Sequence, residues 1–250
     1  MNEERINHIG IVGGGVMGGG IGHIAATAGY AVTFYDISDE ALDNTRHEVL
    51  DGKWGIKRSV EKGKLSFDQG AAAIGLLKFS PDLNALADCD LIIEAVPERL
   101  ELKQDVFADL DQIIKKEAIF ASNTSGFVIE EIAAKVSAER KNRFIGLHYS
   151  NPVPAMTMLE IIYTPQCSQE TIDRCVIFGE KTKRTISMVK DTPGTRGFIM
   201  NRIFAAARRE AVKIVEDGIA TKEDVDKAMI SGRKWPAAFF GSRGGIGKQW

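Results

Sequence analysis

The sequence predicts an α/β fold, a doubly wound sheet followed by a small all-helical C-terminal domain. Over the first three-quarters of the chain, short apolar runs typical of strands alternate with longer amphipathic runs typical of helices. Several short runs, such as "LIIEAV" and "AIFAS", are apolar throughout, as expected when helices cover both faces of a parallel sheet. After "KDTPGTRGF" only helical periodicity continues.

The elements of the first part follow from these runs in chain order. The predicted strands are His8–Gly13, Ala31–Asp36, Asp90–Val96, Ala118–Ser122, Phe144–His148, Leu159–Thr164 and Thr185–Val189. The predicted helices are Gly18–Ala28, Ala41–Lys62, Leu102–Lys116, Ile129–Val136 and Gln169–Lys183.

A second domain is predicted to begin after a segment rich in Pro and Gly at residues 191–197. We expect a first domain over residues 1–192 and a helical one over residues 193–250. The helical part contains Asn201–Glu216 and Lys222–Ile230, the latter capped by Thr221. About 55 residues make a marginal independent fold. We therefore expect this part to pack on the first domain, on another subunit, or on both.

Composition is that of an ordinary soluble globular protein of 250 residues, with 44% hydrophobic and 26% charged residues. A net charge of −2 argues against a nucleic-acid partner. No apolar run approaches the roughly 20 residues needed to span a bilayer, and the start resembles neither a signal nor a transit peptide. Three cysteines, Cys89, Cys167 and Cys175, match no metal spacing and predict reduced thiols in the cytoplasm.

A glycine-rich stretch, "IGIVGGGVMGGGIG", follows the first strand and opens the first helix. Gly13, Gly15 and Gly18 have the GxGxxG spacing that allows a tight turn and close approach of the backbone to a pyrophosphate at a helix N-terminus. A plain glycine turn is the alternative. With a strand before it and a helix after it, the motif predicts a Rossmann-type dinucleotide site, in which the intervening Val16 and Met17 also contact the cofactor.

Asp36 ends the second predicted strand, 18 residues beyond Gly18. This is near the spacing of the carboxylate that binds a ribose diol in such sites. A carboxylate there would repel a 2′-phosphate, and the next residue is Ile37 rather than an arginine. The sequence therefore favours NAD over NADP, with a simple strand-end turn residue as the alternative for Asp36.

Polar residues follow three further predicted strands. In an open α/β sheet the carboxyl ends of the strands line the ligand crevice, so these residues are expected to face the nucleotide. They are Glu94, Glu98 and Lys103 after one strand, Ser122, Asn123, Thr124 and Ser125 after the next, and His148 and Asn151 after a third.

His148 could be a packed core histidine, a metal ligand or a general base. A metal role is disfavoured because zinc needs at least three protein ligands and the chain has no His/Cys cluster. Glu160, in the apolar run "MLEII", would be costly to bury without a partner, which favours a pairing with His148. The remaining histidines, His8, His23 and His47, are predicted to be structural or solvent-facing.

Six segments in order resemble the L-3-hydroxyacyl-CoA dehydrogenase family over roughly residues 6–232. They are "GGGVMGGGI", "EAVPERLELKQDVF", "ASNTSG", "RFIGLHYSNPVPAMTMLEII", "KDTPG…GFIMNR" and "EAVKIVEDGIATKEDVDKAM". The resemblance implies an NAD-binding Rossmann domain and a helical domain that binds substrate and supplies a homodimer contact. It also implies NAD-dependent oxidation of a 3-hydroxyacyl-CoA to the 3-oxoacyl-CoA.

The resemblance further implies roles for individual residues. His148 would be the general acid/base oriented by Glu160, and Ser125 and Asn201 would hydrogen-bond the substrate near its reacting oxygen, although either could instead cap a helix. Two other functions stay open: a dehydrogenase of a free hydroxy acid of the carnitine or gulonate type, and an NAD-binding module without turnover. The residues expected beside the cofactor are Glu98, Lys103, Ser125 and Asn151.

Two further regions of the sequence bear on the substrate. A basic run, Lys53 to Lys64, either is a solvated helix face or approaches the phosphates of coenzyme A, for which Lys57 and Arg58 are the candidates. The chain departs from the family in about three extra residues, Thr195–Gly197, and in the tail "RKWPAAFFGSRGGIGKQW". The aromatic residues of that tail are expected to line an acyl pocket or to meet a partner subunit.

Overall fold

The computed structural model describes residues 6–194, 196–236 and 238–241. The chain divides into two compact units after Phe198. The first unit contains an eight-stranded sheet. Its strands are β1 His8–Val12, β2 Ala31–Tyr35, β3 Leu77–Ser80, β4 Leu91–Glu94, β5 Ile119–Ser122, β6 Phe144–Tyr149, β7 Met158–Tyr163 and β8 Thr185–Lys190. Their order across the sheet is β3-β2-β1-β4-β5-β6-β7-β8.

Strands β1 to β6 are parallel, whereas β7 runs antiparallel to β6 and β8 runs parallel to β7. The order reverses between β1 and β4, which is the switch point where open α/β sheets bind dinucleotides. This arrangement confirms the predicted doubly wound α/β class. It also places His148 of β6 directly opposite Glu160 of β7.

Helices cover both faces of the sheet. Alternate residues of β4 point to opposite faces. Leu91 and Ile93 pack in one apolar cluster with the helices at residues 16–27, 39–50 and 169–181, and Ile92 packs in another with those at 100–113 and 129–132. The helices of this unit are α1 Val16–Thr27, α2 Asp39–Leu50, α3 Ile56–Glu61, α4 Phe67–Gly75, α5 Leu100–Ile113, α6 Ile129–Ile132 and α7 Gln169–Lys181.

The single predicted helix over residues 41–62 is wrong, because the chain turns between α2 and α3. The N–H groups of Asp51 and Gly52 both donate to the carbonyl of His47 and end α2, and the Gly55 N–H donates to the Gly52 carbonyl. Gly55 then begins α3 with extended backbone (ψ 166°). The predicted helix over residues 129–136 is also shorter, since α6 is followed by a 3-10 turn, Ala133–Lys135.

Two elements were not predicted, α4 and the edge strand β3. Ser66 and Gln69 form a capping box at the start of α4, in which the Ser66 hydroxyl accepts from the Gln69 N–H and the Gln69 side chain accepts from the Ser66 N–H. The following strand pairs in parallel with β2, from Leu77 beside Val32 to Ser80 beside Tyr35.

The second unit contains α8 Met200–Glu216 and α9 Lys222–Lys227, followed by a π-helical turn, Ala228–Gly232. The Thr221 hydroxyl caps α9, as predicted, by accepting from the Asp224 N–H at 3.1 Å. Phe239 and Trp235 pack with Phe204 of α8, so these tail residues belong to the apolar cluster of their own unit. Of the extra residues noted in the sequence, Thr195 lies outside the described residues.

Candidate active site

The turn between β1 and α1 depends on glycine at two of its three motif positions. Gly13 has a left-handed backbone (φ 91°), and a Cβ there would lie 2.9 Å from the Ala95 carbonyl. A Cβ on Gly18 would lie 1.9 Å from the Gly13 oxygen, so a side chain would push the helix off the turn. A Cβ added to Gly15 would meet nothing within 4 Å among the described residues outside its own stretch of chain, which leaves open space at the start of the helix.

The N-terminus of α1 is suited to an anion. Gly15 is its N-cap, and no acidic side chain occupies the first turn of this fully described helix. The first turn of a helix presents N–H groups that have no intrahelical partner, together with the positive end of the helix dipole. Val16 and Met17 form this turn, so the backbone here fits a cofactor pyrophosphate.

Asp36 lies one residue beyond β2 and is partly exposed. Its carboxylate accepts from the Gly14 N–H and from the Ile37 N–H, both at 2.8 Å. Each carboxylate oxygen has a second lone pair, so the group keeps acceptor capacity for a ribose diol. The glycine turn, the helix N-terminus and Asp36 together fit the adenosine and pyrophosphate parts of NAD.

His148 and Glu160 form a buried pair near the carboxyl end of β6. His148 Nδ1 and Glu160 Oε2 are 2.7 Å apart, and both side chains are buried. The ring of Phe198 lies 5.5 Å from the imidazole, centroid to centroid. A carboxylate at Nδ1 favours the tautomer with its proton on that nitrogen, which leaves Nε2 as the acceptor.

A second buried cluster lies at the end of β4. Glu94 is fully buried and accepts from three donors at 2.7 Å: the Lys103 ammonium, the Ser122 hydroxyl and the Val96 N–H. Burial raises the pKa of the Glu94 carboxyl above its ordinary value, whereas the Lys103 charge and these hydrogen bonds act in the opposite direction. Lys103 also pairs with Glu98 at 3.2 Å.

The loops after β4 and β5 are joined by Glu98. One of its oxygens accepts from the Thr124 hydroxyl at 2.5 Å and from the Ser125 N–H at 2.9 Å. The Thr124 hydroxyl also accepts from the N–H groups of Gly126 and Phe127, which shapes the turn that carries Ser125. The structure thus brings Glu98, Lys103 and Ser125 together.

Asn123 is a structural member of the site that the sequence did not single out for a role. Its side-chain oxygen accepts from the Tyr149 N–H at 3.0 Å, immediately after His148. The amide extends the pairing of β5 with β6 by one side-chain hydrogen bond and so holds the strand end that carries the histidine. Its position directly after β5, in "FASNTSG", was the only signal available in the sequence.

The remaining predicted residues lie in other parts of the chain. Asn151 is exposed in the loop after β6, and Asn201 lies in the first turn of α8, in the second unit. Lys57 pairs with Asp51 at 2.8 Å. Arg58 pairs with Glu61 at 2.7 Å. Both basic side chains are exposed.

A basic cavity of about 280 Å³ lies in the first unit, between α1, the segment around α3, and the end of α7. Among the described residues, its lining has seven cationic side chains and no acidic one. Trp54 forms part of the wall, with the ammonium groups of Lys53, Lys62 and Lys64 within 6.0 Å of its ring. The other cationic residues of the lining are Arg58, Lys181, Lys183 and Arg184.

Other predicted features concern metals, cysteines and membranes. Among the described residues, no group of three or more His, Cys, Asp or Glu side chains could hold a metal ion. Cys89, Cys167 and Cys175 are all free thiols, and burial raises the pKa of Cys89 to about 12. In the described part of the chain, no helix combines the length and apolar character needed to cross a bilayer.

The sheet order and the glycine turn define a Rossmann-type dinucleotide-binding domain, which a helical unit follows. A family model described as "3-hydroxyacyl-CoA dehydrogenase, NAD binding domain" matches residues 8–192, and a second, "3-hydroxyacyl-CoA dehydrogenase, C-terminal domain", matches residues 197–247. The chain belongs to the 3-hydroxyacyl-CoA dehydrogenase family, which confirms the family predicted from its motifs. NAD is therefore the cofactor of its first domain.

Three similar proteins illustrate the relationship. The chain is 39% identical to a probable 3-hydroxybutyryl-CoA dehydrogenase of Deinococcus radiodurans, over 91% of this chain and 78% of that protein. It is 36% identical to the mitochondrial hydroxyacyl-coenzyme A dehydrogenase of Mus musculus, over 94% and 74%. The solved structure of (S)-3-hydroxybutyryl-CoA dehydrogenase PaaH1 from Ralstonia eutropha matches with a TM-score of 0.87 at 34% identity, over 94% and 80%.

Proposed function

We propose that this protein oxidises the 3-hydroxyl of a 3-hydroxyacyl-CoA to the 3-oxoacyl-CoA, with His148 and Glu160 as its acid–base pair. The observation that carries the proposal is the 2.7 Å contact between His148 Nδ1 and Glu160 Oε2. This pair lies near the carboxyl end of β6, at the edge of the sheet where the dinucleotide crevice is expected.

Oxidation of a secondary alcohol removes one proton from oxygen and one hydride from carbon. His148 accepts the hydroxyl proton at Nε2, and Glu160 stabilises the imidazolium that results. The hydride from C3 would pass to NAD when that cofactor is bound. In the reverse direction the same Nε2–H returns the proton to the carbonyl oxygen.

Ser125 and Asn201 are proposed to hydrogen-bond the reacting oxygen of the substrate. The support for Ser125 is its backbone contact with Glu98, which fixes the loop beside the predicted crevice. A hydroxyl and an amide are donors that can polarise a carbonyl in the reductive direction. For Asn201 the support is the family resemblance of the segment "GFIMNR".

The basic cavity favours a coenzyme A ester over a free hydroxy acid. Its seven cationic side chains and the Trp54 ring offer ion pairs to phosphates and a surface for a base. Of the two candidates from the sequence, both line a neighbouring cavity with Asp51 and Glu61, but of the two it is Arg58 that also lines this basic cavity. We therefore propose Arg58 as the better candidate for a coenzyme A contact.

An NADH-oxidation assay tests the proposal. Acetoacetyl-CoA, longer and aromatic 3-oxoacyl-CoAs, and free acetoacetate are compared at equal concentration. We expect turnover of the CoA esters and at least tenfold lower kcat/KM for free acetoacetate, because the free acid cannot use the basic cavity. Turnover of the free acid alone would refute the CoA proposal. NADH binding without turnover of any of them would instead favour a module that binds NAD without catalysis.

We also propose that the protein is a homodimer formed through its second unit. The support is a set of exposed isoleucines on that unit: Ile203 of α8 is 59% exposed, and Ile199 and Ile219 near its two ends are also exposed. Ile199 and Ile203 are four residues apart, about one helical turn, and exposed aliphatic side chains of this kind are common at association sites. Most homo-oligomers pair equivalent surfaces about a two-fold axis.

A further inference from the structure

Glu94 is a buried carboxylate that the proposed acid–base chemistry does not use. It is the last residue of β4, and both of its oxygens are engaged: Oε1 by the Lys103 ammonium and the Val96 N–H, Oε2 by the Ser122 hydroxyl. A buried charge without partners would strongly destabilise the folded chain. The sequence and fold place these partners around Glu94 from β5, from α5 and from the loop after β4.

Lys103 has no donor left for a ligand in this arrangement. Its ammonium contacts Glu94 Oε1 at 2.7 Å, Glu98 Oε2 at 3.2 Å and the Val96 carbonyl at 3.3 Å. An ammonium has three N–H donors, and its side chain is only 1% exposed. In this arrangement Lys103 reaches the crevice through Glu98, whereas the family resemblance implies a place for it beside the cofactor.

Glu98 lies at the surface end of this chain of contacts. Its side chain is 43% exposed, and its other oxygen accepts from Thr124 and from the Ser125 N–H. In a sheet of this strand order the adenosine half of the dinucleotide lies on the β2 side of the switch point and the nicotinamide half on the β4 side. Glu98 and Ser125 follow β4 and β5, on the nicotinamide side.

We propose that Glu94 is a positioning residue for the nicotinamide half of NAD. Glu94 holds the Lys103 ammonium in place, and Lys103 in turn fixes the orientation of the Glu98 side chain. Glu98 then keeps the loop that carries Ser125 in the conformation that binds the cofactor. Without the Glu94 charge, Lys103 has one carboxylate instead of two and draws Glu98 away from Thr124 and Ser125. The effect on turnover rests on the proposed function, but the effect on NADH binding does not.

The test measures NADH binding to the full chain by fluorescence titration, with thermal melting as a check on folding. Glu94→Gln keeps the shape of the side chain and removes its charge. We expect its Kd for NADH to rise about tenfold or more, because small misplacements of a preset site have large effects. Asp111→Asn is the matched control.

Asp111 pairs with Arg140 at 2.8 Å, and both side chains are almost completely buried. Asp111 lies eight residues after Lys103 in α5, or about 12 Å along the helix and away from the site. Asp111→Asn therefore removes a comparable buried charge, and we expect its Kd for NADH to stay within twofold of wild type. A similar rise in both variants would overturn the proposal, since general destabilisation would then explain it.

A double-mutant cycle shows whether Glu94 acts through Lys103. We expect Lys103→Met to weaken NADH binding, and the double variant with Glu94→Gln to be no weaker than the worse single variant. Additive effects would overturn the proposed route. If Glu94→Gln does not fold, Ser122→Ala removes one of its hydrogen bonds, and we expect a rise of about threefold in Kd. An unchanged Kd in a folded variant would refute the role, whether or not the enzyme turns over CoA esters.

Discussion

At the residue scale, the pairing of His148 with Glu160 predicts that turnover depends on the His148 imidazole. His148→Gln removes the group that accepts the hydroxyl proton but keeps a hydrogen-bonding side chain beside Glu160. We expect turnover of acetoacetyl-CoA to fall by a factor of roughly 10² to 10⁴, the usual contribution of a general base. The Kd for NADH should stay within about twofold, and an unchanged rate would remove His148 from the mechanism.

His23 should make the stability of the protein depend on pH. It is buried in α1, and burial lowers its pKa from 6.5 to about 4. Between these values the unfolded chain binds a proton that the folded chain does not. Stability is therefore fully present above pH 6.5 and lost as the pH falls towards 4, by up to about 3 kcal/mol.

Urea unfolding at pH 7.5 and pH 5 measures this effect. In His23→Gln we expect a smaller difference in unfolding free energy between the two pH values than in wild type. His47→Gln is the control, because His47 is exposed in α2. Burial also lowers the pKa of His8, so part of the acid sensitivity should persist in the His23 variant. An equal pH dependence in wild type and His23→Gln would contradict the prediction.

At the element scale, two glycines of the turn from β1 to α1 are expected to have different roles: Gly18 in the stability of the fold and Gly15 in the binding of the cofactor. Gly18→Ala places a Cβ 1.9 Å from a backbone oxygen, so we expect a loss of about 1–3 kcal/mol in unfolding free energy. Gly15→Ala meets nothing within 4 Å in the described structure and has φ −57°, which suits alanine. Its stability should be unchanged, while its Cβ stands where the pyrophosphate approaches.

Two measurements distinguish these variants. We expect a lower melting temperature for Gly18→Ala than for wild type. For Gly15→Ala we expect the Kd for NADH to rise by about tenfold or more. Normal NADH binding by Gly15→Ala would show that the cofactor does not approach this turn closely. Each variant serves as the control for the other.

The elements differ in how well the sequence predicts them. The central strands β4 to β6 are continuous apolar runs, and their burial on both faces leaves a strong local signal. The break between α2 and α3 was missed because helical residues continue on both sides of Gly52 and Gly55. The edge strand β3, with the sequence "LKFS", is short and mixed in polarity, so only its pairing with β2 identifies it.

The same distinction applies to the candidate site. The glycine turn and Asp36 follow from local spacing. The cost of burying Glu160 in an apolar run, together with the family resemblance, predicts its pairing with His148. The burial of Lys103 against Glu94 could not be predicted, because a lysine after a strand end looks exposed in a sequence. Its environment depends on contacts among β4, β5 and α5.

At the scale of the whole molecule, the last prediction concerns association. An isoleucine of α8, Ile203, is 59% exposed. Such a side chain loses its contact with water when two copies associate, which stabilises a dimer. Ile203→Glu would bury a charge at the same surface, and its desolvation would oppose association.

Size-exclusion chromatography with light scattering measures the outcome. We expect a dimer for wild type and a shift to monomer for Ile203→Glu at micromolar concentration. Ile177→Glu is the matched control, since Ile177 is 58% exposed on α7 of the first unit and should leave the dimer intact. A dimer that resists Ile203→Glu but dissociates with Ile177→Glu would move the association surface to the first unit.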